Sequence, residues 1–109
     1  MHELGITQSI VEACNAAADG ACVARVTVEI GCLCAVQADA VRFCYDLCAQ
    51  GTALEGSVLD IQAVPGRGKC RDCGEEMSVE NYLCICACGS VDIALSGGDE
   101  LRIKEMEIR

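Results

Sequence analysis

The sequence predicts an α/β fold: a small three-stranded mixed sheet with two helices on one face, interrupted by an inserted cysteine-rich segment. Three observations lead there. Hydrophobic periodicity changes in the order helix, strand, helix, strand along the first 65 residues. Residues 66–98 then hold five of the eleven cysteines and six of the eleven glycines. A last alternating run closes the chain. At 109 residues there is room for one hydrophobic core and not for two.

Residues 4–19 read as a helix. Ile6, Ile10, Cys14 and the Ala17-Ala18 pair recur at spacings of three and four, Val11 joins the stripe, and Gly20 stops it. Residues 23–30 read as a strand, with Val26, Val28 and Ile30 on one face and Arg25, Thr27 and Glu29 on the other, as expected of a one-sided sheet. Gly31–Cys34 is a loop. Residues 37–50 form a second helix whose stripe is Val41, Cys44, Tyr45 and Cys48, widened by Phe43 and Leu47 and ended by Gly51. Residues 57–64 form a second strand, ended by Pro65-Gly66, and this order implies a right-handed parallel crossover. Glu100–Ile108 is the closing strand. Leu101 and Ile103 share one side, and the switch to Met106 and Ile108 suggests a bulge near Lys104.

Composition excludes several function classes. There are 17 acidic against 8 basic side chains, a net charge of −9, which repels a phosphate backbone. Two Tyr, one Phe and no Trp make no stacking platform for single strands. No nucleic-acid partner is expected. The basic run Arg67, Lys69, Arg71 reads as a solvated loop. The longest stretch without a charged side chain is Asn81–Val91, too short to span a membrane. Glu3 and Glu12 stand where a signal peptide would have its basic and apolar regions, so a cytoplasmic protein is expected. In that reducing compartment an odd cysteine count argues for thiols and a thiolate metal site, not a disulfide framework.

Cys70-Arg-Asp-Cys73-Gly74 is a C-x-x-C-G knuckle, two thiolates offered from one tight turn. Cys84-Ile-Cys86-Ala-Cys88-Gly89 follows at the distance of a zinc ribbon's second half. The second knuckle is irregular, because Ile stands at position 85. Cys86 with Cys88 is favoured, since both adjoin the Gly89 turn; Cys84 with Cys88 is the alternative. Tetrahedral thiolates select Zn(II), or iron in a rubredoxin-like site. The domain reading follows: 1–65 and 99–109 form an α/β domain, and 66–98 a zinc-ribbon domain. A redox role for Cys70 and Cys73 is disfavoured by Gly74 and the matching second cluster. Cys32 and Cys34 read as reduced loop thiols, with an extra soft-metal clamp as the alternative.

His2 is the sole histidine. One imidazole cannot build a Ser/His/Asp triad or a multi-histidine catalytic metal centre, and no phosphate-binding loop occurs, so no enzymatic activity is expected. Its position has its own chemistry. The Met1 amine, the His2 imidazole and the amides of His2 and Glu3 can surround one ion with a plane of nitrogens, which suits Ni(II) or Cu(II).

The opening Met1-His2-Glu3-Leu4, the knuckle Cys70-Arg-Asp-Cys73-Gly, the turn Cys88-Gly-Ser90 and the closing Glu100-Leu-Arg-Ile-Lys-Glu-Met-Glu107 occur in one order. Together they resemble the HypA/HybF family of hydrogenase nickel-incorporation proteins, over essentially the whole chain. The resemblance implies a nickel metallochaperone that helps place nickel in the large subunit of [NiFe]-hydrogenase, working with a HypB-type GTPase. It implies that His2 is a nickel ligand, completed by backbone around Met1–Glu3, and that Cys70 and Cys73 are the first zinc pair. Cys88 matches the family's last zinc cysteine. The family's second pair is normally C-x-x-C, from which this chain departs, and cysteines at positions like 32 and 34 are not usual in it. A zinc-ribbon adaptor without nickel and a rubredoxin-like electron carrier are the alternative functions.

Overall fold

The computed structural model describes residues 2–109. The Met1 amine therefore lies outside the described residues. Helix α1 spans Glu3–Ala18, strand β1 Val23–Gly31, helix α2 Ala38–Ala49 and strand β2 Val58–Val64. Three short strands follow, β3 (Gly66–Cys70), β4 (Glu76–Val79) and β5 (Ile93–Ser96), before the closing β6 (Leu101–Ile108). They form two three-stranded sheets, ordered β2-β1-β6 and β4-β3-β5. The α/β class with an inserted cysteine-rich ribbon is thus the architecture of the chain.

The chain divides into two compact units. One comprises the chain through Glu29, Val36–Gln62 and Arg102–Arg109; the other comprises Ile30–Ala35 and Ala63–Leu101. In the first unit the core is built by α1, β1 and α2. Val23, Val26, Val28, Val41 and Leu54 are fully buried. Tyr45 is the one large aromatic among them. Its hydroxyl donates to Ser57 Oγ at 2.6 Å, and Ser57 Oγ donates onward to the carbonyl of Leu54 at 2.5 Å. A buried phenol is thereby satisfied, which offsets the cost of removing it from water.

Four expectations about side-chain placement need correction. On α1 the buried stripe is Glu3, Thr7, Ile10, Val11, Cys14 and Ala18; Ile6 is half-buried and Ala17 exposed. The stripe keeps Ile10, Val11, Cys14 and Ala18 and takes in Glu3 and Thr7 on the first turn, where polar contacts satisfy them. The Glu3 carboxylate accepts the backbone N–H of Gln37 at 3.1 Å, and Thr7 Oγ1 donates to the Glu3 carbonyl at 2.5 Å. Phe43 and Leu47 do not widen the α2 stripe: they are 85% and 63% exposed, while Val41, Tyr45 and Ala49 are buried. A helix turns about 100° per residue, so a position two after a buried one faces away.

Thr27 is buried as well, at 2% exposure, on the central strand β1, between exposed Arg25 and half-buried Glu29 on the same face. Around it the outward side chains pair across strands: Arg102 Nε donates to Glu29 Oε1 at 3.0 Å, and Lys104 Nζ to Gln62 Oε1 at 3.4 Å. On β6 Leu101, Ile103 and Met106 are half-buried, so the inward set does change phase after Ile103, but Ile108 is 46% exposed. The α1 helix ends with Asp19 itself in the left-handed region (φ 47°), one residue before Gly20.

In the second unit β3 pairs antiparallel with β4 and with β5, Gly68 facing Met77 on one side and Leu95 on the other. Arg67 and Lys69 are therefore strand residues, not loop residues. Their exposed side chains alternate with buried Gly66, Gly68 and Cys70. The glycines are there for space. A Cβ on Gly68 would stand 2.7 Å from Ile93 Cγ2 and 2.8 Å from Val79 Cγ2. Gly31 is tighter still: its Cβ would lie 2.0 Å from the carbonyl oxygen of Gly98. That approach places Leu33 so that its amide donates to the Gly98 carbonyl at 2.7 Å, and its side chain is 5% exposed. The Leu33 carbonyl in turn accepts the Tyr82 hydroxyl at 2.8 Å.

Candidate metal centre

The ribbon's two turns present their cysteines to one point. In the first, Cys70 closes β3 and the chain reverses through Gly74 (φ 79°), whose N–H donates to the Cys70 carbonyl at 2.9 Å. The Cys70 N–H meanwhile donates to the Glu75 carbonyl at 2.9 Å. In the second, the reversal is at Gly89 (φ 92°), whose N–H donates to the Cys86 carbonyl at 2.8 Å, and the Cys86 N–H donates to Ser90 at 2.9 Å. The second turn has the same pattern with one residue fewer. Hence a C-x-C pair does there what C-x-x-C does in the first: each turn ends on a left-handed glycine that any Cβ would strain.

The four sulfurs of Cys70, Cys73, Cys86 and Cys88 all lie within 4.8 Å of one another. Cys70 Sγ is 3.7 Å from Cys88 Sγ, and Cys73 Sγ is 3.5 Å from Cys86 Sγ. A tetrahedral ion with bonds of about 2.3 Å separates its sulfurs by about 3.8 Å, so this donor set has the spacing of a thiolate-bound zinc. Cys70 and Cys86 are buried, at 1% and 4% exposure, while Cys73 and Cys88 sit at the surface. Cys84 is half-buried and not in the group. Among the described residues no other group of three or more His, Cys, Asp or Glu donors comes together in this way.

The metal-free thiols would hold their protons unevenly. The N–H of Cys73 points at Cys70 Sγ at 3.5 Å and favours its thiolate, drawing that thiol down to about 6. The backbone at Glu75 favours the Cys73 thiolate, but the sulfurs of Cys86 and Cys70 outweigh it and push Cys73 up to about 12. One cysteine thus takes negative charge first and its neighbours resist adding more, the response of donors packed for a cation. Side chains outside the cluster tie the two turns together. Arg71 Nη1 donates to Asp92 Oδ1 at 2.9 Å, the Arg71 N–H donates to the Asp92 carbonyl at 2.9 Å, and the Ser90 hydroxyl donates to Asp72. The pairing of Arg71 with Asp92 was not foreseen, since twenty-one positions separate them with no periodic signal between.

The second set of expected site residues lies at the start of α1. His2 is exposed and occupies the N-cap position, where its carbonyl accepts the N–H of Ile6 at 2.9 Å and its side chain makes no capping bond. Glu3, whose backbone was singled out, also buries its side chain to 6% exposure and fastens this end of α1 to Gln37. That anchoring role had no sequence signal beyond an acid in a helix's first turn. Cys32 and Cys34 are half-buried in the turn after β1, with the Cys34 N–H donating to the Gly31 carbonyl at 2.9 Å.

A small α/β unit whose helix starts at an exposed histidine, joined to a four-thiol ribbon, defines a metal-binding protein. The family described as "Hydrogenase/urease nickel incorporation, metallochaperone, hypA" matches residues 1–108, and the chain belongs to that family. It is 56% identical over 108 residues to the hydrogenase maturation factor HypA of Trichormus variabilis, covering 99% of this chain and 96% of that one. It is 49% identical over 109 residues to the hydrogenase maturation factor HypA of Geobacter metallireducens, covering 99% of both. The solution structure of the Ni metallochaperone HypA from Helicobacter pylori has the same fold, with a TM-score of 0.65 at 23% identity over 99% of this chain and 97% of that one. No helix among the described residues is long and apolar enough to cross a membrane.

Proposed function

We propose that this chain is a cytoplasmic nickel metallochaperone, not an enzyme, which binds Ni(II) at its N-terminus and hands it on during maturation of [NiFe]-hydrogenase. The observation that supports this most is His2, exposed at the head of α1 in a chain of a nickel-incorporation family. The cargo is held by the His2 imidazole, the Met1 amine and the backbone nitrogens of His2 and Glu3. Two features favour that chemistry. A helix N-terminus carries partial positive charge, which stabilises a deprotonated, anionic amide. The buried Glu3 carboxylate fixes the helix end while leaving the histidine in solvent, so release needs no unfolding of the core. Each donor must shed a proton or already lack one, so binding weakens as the pH falls.

Cys70, Cys73, Cys86 and Cys88 would hold a structural Zn(II). When bound, the ion supplies cross-linking and no reaction, because four thiolates leave it no open position. The ribbon, residues 66–98 in this reading, has few large buried side chains of its own, and Val79 is the main one. The partners are a HypB-type GTPase, which supplies the nucleotide hydrolysis this chain has no motif for, and the large subunit of [NiFe]-hydrogenase.

Nickel titration of untagged protein, of His2→Ala and of protein with one residue added before Met1 tests the site. Both variants are expected to lose Ni(II) binding with fold and zinc intact. Binding as tight in the extended protein rules out the amine. Binding as tight in His2→Ala moves the site elsewhere.

A further inference from the structure

Four of the eleven thiols form the ribbon's sulfur cluster. Among the rest, Cys44 and Cys48 stand apart because they share a helix four residues apart. Both are half-buried on α2. Residues at this spacing sit one above the other, with Cβ atoms about 5–6 Å apart. Two sulfurs can close from there to the span of two metal–sulfur bonds of about 2.3 Å each. Burial first, and then the nearby Cys44 sulfur, raise the Cys48 thiol above its ordinary value. The backbone carrying them is held by Val41, Tyr45 and Ala49, which are buried on the adjoining stripe, so the spacing is preset. Cys48 also lines a groove of about 490 Å³ between α1 and α2, with Leu4, Val11 and Leu47 as its apolar wall and Glu12 at its edge.

We infer that Cys44 and Cys48 form a two-thiolate site for a soft monovalent ion, of which Cu(I) is the representative. The donor count decides the ion. Zinc and iron–sulfur clusters want four ligands, and no third His, Cys, Asp or Glu donor joins this pair among the described residues. Soft thiolates select Cu(I), which is content with two sulfurs in line. Binding replaces two S–H bonds by two Cu–S bonds and releases two protons to solvent, with no change of oxidation state. The chain's net charge of −9 assists the cation's approach. This site is separate from the nitrogen donors proposed for nickel and does not depend on them: the two ions would be sorted by donor type on one small unit.

The test is anaerobic competition for Cu(I) between the zinc-loaded full chain and bicinchoninate, with zinc followed in parallel. The wild-type chain is expected to take one equivalent without losing zinc. Cys44→Ser with Cys48→Ser should lose that equivalent; Cys32→Ser with Cys34→Ser and His2→Ala should keep it. A spacing control preserves the number of thiols. Cys48→Ser with Asp46→Cys places the two sulfurs about 200° apart around the helix, and it should lose the equivalent too. Circular dichroism on each variant reports the fold, and half-buried positions should accept serine. Undiminished Cu(I) binding by the Cys44/Cys48 variant overturns the proposal. So does zinc release by the first equivalent, or retention in the spacing control.

Discussion

Replacing Cys86 and Cys84 separately by serine is the sharpest test of the metal centre. Cys86 is buried at 4% exposure, and its sulfur lies 3.5 Å from that of Cys73, whereas Cys84 is outside the four-sulfur group. Structural zinc contributes about 10–16 kcal/mol of apparent binding energy, so an equal share for each of four thiolates is about 2.5–4 kcal/mol. Cys86→Ser should then weaken zinc by about 10²- to 10³-fold, at 1.4 kcal/mol per factor of ten. Cys84→Ser should leave the affinity within a few-fold of wild type. A chromophoric chelator competition at fixed pH reads both. Cys84 lies only two residues from Cys86 and could substitute for it, which would reduce the loss. The double variant Cys84→Ser/Cys86→Ser removes that escape and should show the full effect. Equal losses for the two single variants, or a larger one for Cys84→Ser, would refute the assignment of the second pair.

Other consequences are local. Gly31→Ala should destabilise the chain by about 3 kcal/mol or more, read by chemical denaturation, because the added Cβ meets a backbone carbonyl at 2.0 Å that no rotamer change can move. Gly5→Ala, on α1 with open space around it, is the control and should be neutral or slightly stabilising. Burial pushes the Cys14 thiol above its ordinary value of 9.0. Below that value the thiol is neutral in both states and its contribution to stability is complete. Above it the unfolded chain releases a proton that the fold retains, so stability should fall with rising pH, and Cys14→Ala should flatten that slope in alkaline denaturation curves. In native alkylation followed by mass mapping, Cys14 should react far more slowly than exposed Cys22.

Much of the architecture was legible because it rests on short-range patterns. The period of Val26, Val28 and Ile30, the break at Gly51 and the Pro65-Gly66 stop each depend on neighbours within a few positions. So does the placing of cysteines next to Gly74 and Gly89, since a left-handed turn needs its glycine locally. The strands inside the ribbon were not legible. Gly66–Cys70 alternates glycine with charge and carries no hydrophobic signal; it pairs because its neighbours approach too closely for any side chain at Gly68. The second cysteine pair stayed ambiguous for a related reason. Spacing fixes how far a sulfur can reach, and both Cys84 and Cys86 reach Cys88; which one turns inward depends on the hydrogen bond from Cys86 to Ser90.

By itself the sequence determined the order of elements and the division of cysteines between a ribbon and the rest, with a lone histidine at position 2. Tertiary structure alone decided which faces are covered. Glu3 and Thr7 are buried while Phe43 and Leu47 stay in solvent, although apolarity argues the reverse. Helical period fixes a stripe only to within one residue's rotation of about 100°, and the choice within that arc belongs to what packs against it. Here a carboxylate meeting the Gln37 amide and a threonine bonded to its own helix satisfy their polar atoms, so burying them costs little. The approach of Gly31 to Gly98 likewise arises between distant segments, where no local pattern records it.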